Sequence, residues 1–123
     1  MLNDLAYLLA DNDEQPEKAV EYAKRAHEKM PNDGNILETY AYTLYKTAEY
    51  EKAEEFTQMA IQIFERNSRD VTWDIYWHLA MAQEKLEKTE QALASYRQAL
   101  RSAGRMSPKN KLQLEEAIQR LSQ

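Results

Sequence analysis

LETYAYTLYKTAEYEKAEEFTQMA, residues 37–60, decides the fold through its alanines. Ala53 belongs to the set Ala19, Ala53 and Ala92, spaced by 34 residues and then 39, and Ala60 belongs to Ala26, Ala60 and Ala99, which repeats both intervals. A third set, Ala6, Ala41 and Ala80, stands 12 or 13 residues ahead of the first. Around these alanines the apolar residues keep helical spacing, as in Leu37, Tyr40, Ala41 and Leu44 or Leu2, Leu5, Ala6 and Leu9, which marks amphipathic helices. Small residues at matching points let two helices approach closely, because interaxial distance depends on the side chains at the crossing. The pattern predicts three copies of a two-helix unit.

Turn chemistry divides the chain in the same way. Pro16 suits the first turn of a helix, where its missing N–H costs nothing, and Glu17 adds favourable charge at the positive end of the dipole. In MPNDGN (30–35), Pro31 ends one helix and Asp33 or Asn35 caps the next. The junction ERNSRDVTWD (65–74) has no proline and carries the extra five residues; it reads as a lengthened helix pair with Asp70 or Ser68 as cap. In SPKNKLQLEEAIQRLSQ, Ser107 and Pro108 form the cap and first turn of a closing helix whose Leu114, Ala117, Ile118 and Leu121 share a face. The expected boundaries are about 1–31, 32–66 and 70–104 for the repeats and 107–122 for the capping helix.

Composition agrees with an all-α chain. At 123 residues, 43% hydrophobic and 30% charged, it has the length and balance for one compact soluble unit. With only two glycines, turns that need positive φ are expected to be few. A net charge of −5 with both signs interleaved argues against nucleic acid as a partner. No apolar run reaches the roughly 20 residues of a membrane span, and the N-terminal stretch lacks signal-peptide character. Absence of cysteine excludes disulfides and thiolate chemistry but leaves cytoplasm and periplasm equally open.

The register resembles a tetratricopeptide repeat array, whose 34-residue unit reads W-x2-L-G-x2-Y, A-x3-F, P. The pattern falls on Leu2, Leu5, Ala6, Leu9, Ala19, Ala23 and Pro31 in the first copy. The second places Leu37, Tyr40, Ala41, Leu44, Ala53 and Thr57 there, and the third Tyr76, Leu79, Ala80, Gln83, Ala92 and Tyr96. Alanine replaces the glycine throughout, Thr57 and Gln83 are polar where the family is apolar, and the proline after the second copy is missing. The resemblance implies an α-solenoid, a right-handed superhelix whose first helices line a groove that commonly holds a partner peptide. Because the first copy begins inside its first helix, the chain reads as the C-terminal part of a longer array, with Met1 added.

The tyrosines of residues 40–50 divide by face. Tyr40 and Tyr50 are expected in the packing. Tyr42 and Tyr45, with Glu38, Thr39 and Lys46, are expected to face the groove, together with Asn3, Asp4 and Tyr7 of the first helix and Asp74, Trp77, His78, Met81 and Lys85 of the fifth. Aromatic residues and methionine are enriched at interfaces, so this aromatic floor with acidic edges predicts a peptide ligand carrying apolar anchors and Lys or Arg. The carboxylate-clamp set known in one subfamily is not present. Self-association and a docking role within a larger enzyme remain as alternatives.

Catalytic and metal chemistry find no footing. Asp11 and Asp13 alternate like calcium-loop ligands, but Pro16 stands where the loop needs glycine and Tyr22 where it needs glutamate. Asp74 and His78 share a helix face, yet two ligands do not hold a catalytic zinc. No nucleophile elbow or phosphate-cradling glycine loop occurs. The reading is a non-enzymatic protein with no cofactor and no metal.

Overall fold

The computed structural model describes residues 2–102, 104 and 106–123. Met1 and the side chain of Leu2, which opens the first copy of the pattern, lie outside the described residues. Among the described residues there are seven α-helices and no strand: α1 Leu2–Asp11, α2 Pro16–Lys29, α3 Gly34–Lys46, α4 Tyr50–Arg66, α5 Trp73–Lys85, α6 Thr89–Arg101 and α7 Pro108–Leu121. They fall into two compact units, 1–69 and 70–123, where the length alone pointed to one.

In the first unit α1 packs on α2 and α3, α2 on α3, and α3 on α4. Ala6, Ala19, Ala26, Ala41, Ala53 and Ala60 are all buried. One cluster joins Leu37, Ala60 and Ile63, with Tyr40 and Phe56 at its edge. The Tyr40 and Phe56 rings stack at 5.3 Å, and His27 lies 5.7 Å from Tyr40, so the expected packing role of Tyr40 is met by aromatic neighbours from α2 and α4. A second cluster joins Ala10, Ala19 and Tyr42. Gly34 has its own reason to be glycine: a Cβ there would sit 3.0 Å from ring atoms of Phe64, so the start of α3 rides directly on that ring.

In the second unit α5 packs on α6 and α6 on α7. The core is Ala80, Ala92, Tyr96, Ala99 and Leu114, with Trp73, Tyr76, Trp77, Met81, Ala117, Ile118 and Leu121 packed around it. Leu114 is 0% exposed and ties α7 to the pair before it. The Glu84 carboxylate receives the Tyr96 hydroxyl at 2.8 Å and both guanidinium nitrogens of Arg120 from α7. Those donors hold the Glu84 carboxyl below the usual carboxylate range, Arg120 foremost. Gln83 and Thr57, polar in positions that suggested apolar residues, are satisfied locally. Ser95 donates to Gln83 Oε1 at 2.6 Å, and Thr57 donates to the Ala53 carbonyl at 2.7 Å.

Three helix starts follow the expected chemistry and one does not. Pro16 occupies the first turn of α2. Asp33 accepts from the Ile36 amide and Ser107 from the Asn110 amide, both at 3.1 Å. At α5, by contrast, neither Ser68 nor Asp70 is the cap. The helix begins at Trp73 behind Thr72, whose side chain makes no capping bond, while Ser68 belongs to the turn that closes α4. The 17 residues of α4, against 13 in α3, absorb part of the extra length of this junction.

Positive φ is also commoner than two glycines suggest. Asp13, Gln15, Ala48, Ser68 and Glu87 all adopt it, and neither glycine does. Four of these residues stand two positions beyond a helix end. The amides of Glu14, Glu49, Arg69 and Lys88 then donate back to the carbonyls of Leu9, Leu44, Phe64 and Gln83 at 2.8–2.9 Å. This is the Schellman closure, built on left-handed residues that keep a side chain.

Candidate functional site

The residues expected to face a ligand belong to α1, α3 and α5, the first helix of each pair. In the first unit several of them are consumed by packing. Tyr42 is 8% exposed; its ring stacks on Tyr7 at 5.3 Å, and its hydroxyl donates to Asp11 Oδ1 at 3.0 Å. Burial first, and the neighbouring Asp11 carboxylate second, raise the Tyr42 phenol well above its ordinary range, so it stays a neutral donor. Lys46 pairs with Asp13 at 2.9 Å and sits 5.8 Å from the centre of the Tyr42 ring. Tyr7, Tyr42, Lys46, Asp11 and Asp13 therefore fasten α1 and the turn after it onto α3.

Glu38 and Thr39 are likewise buried, at 8% and 4% exposure, and the Thr39 hydroxyl donates to the Asn35 carbonyl at 3.1 Å. The expectation that Glu38, Thr39 and Tyr42 offer open surface differs from this arrangement, because α3 packs on α1, α2 and α4 together, and Tyr42 in particular is covered by α1. Tyr45 is half-buried and meets Tyr50 edge-on at 5.5 Å, so the ring expected in the groove and the ring expected in the packing support each other. Tyr7 and Asn3 are half-buried and Asp4 is exposed.

The second unit differs in kind. α5 carries apolar residues around most of its circumference: Ile75, Leu79 and Ala82 are buried, while Trp73, Tyr76, Trp77 and Met81 keep part of their surface accessible. A helix apolar all round is normally enclosed on every side. Trp73 and Trp77 lie 5.6 Å apart, tilted by 48°. Asp74 and His78, half-buried, occupy the same helix one turn apart, and Lys85 is exposed. Trp73 was missed in the sequence, although its spacing of four from Trp77 places both on one face. No group of three or more His, Asp or Glu side chains is arranged to hold a metal among the described residues. Among them, too, no helix is long and apolar enough to cross a membrane.

Paired antiparallel helices with buried alanines at the crossings define the class: a helical-repeat interaction module. Residues 12–70 match the family model described as tetratricopeptide repeat, and the chain has the tetratricopeptide-repeat fold. Its fold is similar to that of the Sgt2 TPR domain from Aspergillus fumigatus, with TM-score 0.78 at 15% identity over 98% of this chain and 74% of that one. The Arabidopsis OM64 TPR domain gives 0.75 at 19% identity, covering 97% and 93%. The N-terminal domain of stress-induced protein-1 (STI-1) from C. elegans gives 0.73 at 15%, covering 99% and 92%. Nothing matches among curated protein sequences. Repeats of this family mediate protein–protein interaction, and the fold is generally a non-enzymatic scaffold.

Proposed function

We propose that the chain is a peptide-binding adaptor and that the accessible face of α5 supplies its principal anchor. The observation that carries this reading is the helix itself: Trp73, Trp77 and Met81 pack at the edge of the core around Ala80 and Tyr96 and still keep part of their surface accessible, while Ile75, Leu79 and Ala82 of the same helix are buried. Aromatic residues and methionine on such a surface are the residue types that dominate binding energy, since they bury large areas at small entropic cost. Asp74 beside them favours a ligand that places Lys or Arg next to an apolar side chain.

In the first unit the contact set is smaller than the sequence suggested. Asn3, Asp4, Tyr7, Tyr45 and Lys46 supply its accessible part, whereas Tyr42 positions α1 against α3 and Glu38 and Thr39 are buried. Selection from a displayed peptide library tests the reading. Wild type is expected to enrich peptides that combine aromatic or aliphatic residues with Lys or Arg, and Trp77→Ala should weaken the best binder by at least about tenfold, a typical hot-spot loss. Enrichment of acidic peptides, or binding indifferent to both Trp77→Ala and Asp74→Lys, would refute it.

A further inference from the structure

We propose that this protein self-associates head to tail, with the outer face of α1 in one copy docking against the start of α7 in the next. The charge distribution points there first. Residues 1–17 carry five carboxylates and no basic side chain, while residues 91–114 carry five basic side chains and no carboxylate. Each block also bears exposed leucine. Leu5 and Leu8 on α1 are 43% and 57% exposed, and Leu112 on α7 is 56% exposed. Leu8 stands one turn before Asn12, beside the exposed Asp11, Asp13 and Glu14; Leu112 stands one turn after Lys109 and next to Lys111, both exposed.

Helix polarity strengthens the complementarity. The negative end of the α1 dipole meets Asp11, with no basic residue in the last turn of the helix, while Asp13 pairs with Lys46 and Glu14 precedes the start of α2. The positive end of α7 meets Lys109, with no acidic residue in the first turn. Both arrangements reverse the usual preference, in which side-chain charge offsets the dipole. Asp11 at one end and Lys109 at the other are therefore charges set against their own helix dipoles, which a partner of opposite sign relieves, and the two are of opposite sign. Glu115 and Glu116 close the basic block one turn further along α7, which confines the docking patch to its start.

The same charges disfavour two-fold pairing through α1, which would set one carboxylate block against another. A contact between two different patches is heterologous, so it continues into longer chains or closes as a ring instead of stopping at a dimer.

Sedimentation of the full chain over a concentration series tests the proposal, with Asn12→Lys/Glu14→Lys as the head variant and Lys109→Glu/Lys111→Glu as the tail variant. Asn12→Lys and the tail pair place charge in the direction the nearest dipole favours, whereas Glu14→Lys lies just before α2, so circular dichroism must show wild-type helicity for each variant before association is compared. Wild type at low salt is expected to rise from its 14.5 kDa monomer mass past the dimer as concentration increases. Raising salt from about 20 to about 300 mM should weaken association at least tenfold, since exposed charges are screened. Each variant alone should stay monomeric, and an equimolar mixture of the two should regain assembly, because the reversed head meets the reversed tail. A wild type that remains monomeric, a tail variant that assembles like wild type, or a mixture that fails to associate would each overturn the proposal.

Discussion

Leu114→Ala should remove about 3–4 kcal/mol from the stability of the second unit. The side chain is 0% exposed and bridges α7 to Ala80, Ala92, Tyr96 and Ala99. Deleting its Cγ methine and two methyl carbons forfeits roughly 2.4 kcal/mol of transfer free energy at about 0.8 per carbon. A residual cavity on the order of 60 Å³ adds about 1.4 kcal/mol at 24 cal per Å³. A unit of this size has a total stability of only about 3–8 kcal/mol, so the loss is a large fraction. Both tryptophans, Trp73 and Trp77, lie in this unit, so tryptophan fluorescence during urea denaturation in dilute solution reports it directly. Leu112→Ala is the matched control on the same helix, and at 56% exposure it should cost under about 0.5 kcal/mol. A loss below about 1 kcal/mol for Leu114→Ala, or equal losses for the two variants, would refute the docking of α7 through this residue.

Three further outcomes are expected. Gly34→Ala should destabilise the first unit by about 1–3 kcal/mol in thermal melts, because the new Cβ meets the buried Phe64 ring at 3.0 Å; combining it with Phe64→Leu should recover part of that loss. Ala48→Gly should stabilise by about 0.5–1 kcal/mol, the net of about 1–2 for relieving left-handed strain at φ 66 and about 0.5–1 for added freedom in the unfolded chain; a lower melting temperature contradicts this. Arg120→Ala should cost about 1 kcal/mol at neutral pH, in the range of a surface ion pair. Because the folded Glu84 carboxyl lies below its unfolded value, that contribution is present above the unfolded value and disappears as pH falls through the folded one. Wild type and variant should thus converge in acid, and a constant difference across the titration would contradict the assignment.

The helix pairs were legible because alanine at a crossing leaves a periodic mark, and the starts of α2, α3 and α7 because Pro16, Asp33 and Ser107 act through neighbours within three residues. α5 escaped because Thr72 contributes no side-chain bond, leaving no local sign of where the helix begins. Tyr42 was misjudged as open surface for a different reason. Periodicity identifies the face turned toward one partner, but α3 also receives α1, a contact set by residues about thirty positions earlier. Gln83 looked like a departure from an apolar pattern, since its partner Ser95 lies on the following helix. The left-handed turns were hidden by the usual link between positive φ and glycine, which Asp13, Ala48, Ser68 and Glu87 do not follow.

Those four turns have a consequence for how such a chain drifts and how it may be edited. Main-chain hydrogen bonds hold the closure, so alanine, serine and glutamate serve interchangeably at 48, 68 and 87, while Asp13 also carries the ion pair to Lys46. The side chains of Ala48, Ser68 and Glu87 are exposed, which makes each of these positions a place where spelling can change at a cost near that of one strained residue while helix register survives. Copies related in this way lose mutual resemblance at the joints before they lose it at the crossings. For the same reason the joints are natural points for attaching a probe or grafting a loop without disturbing the alanine seams.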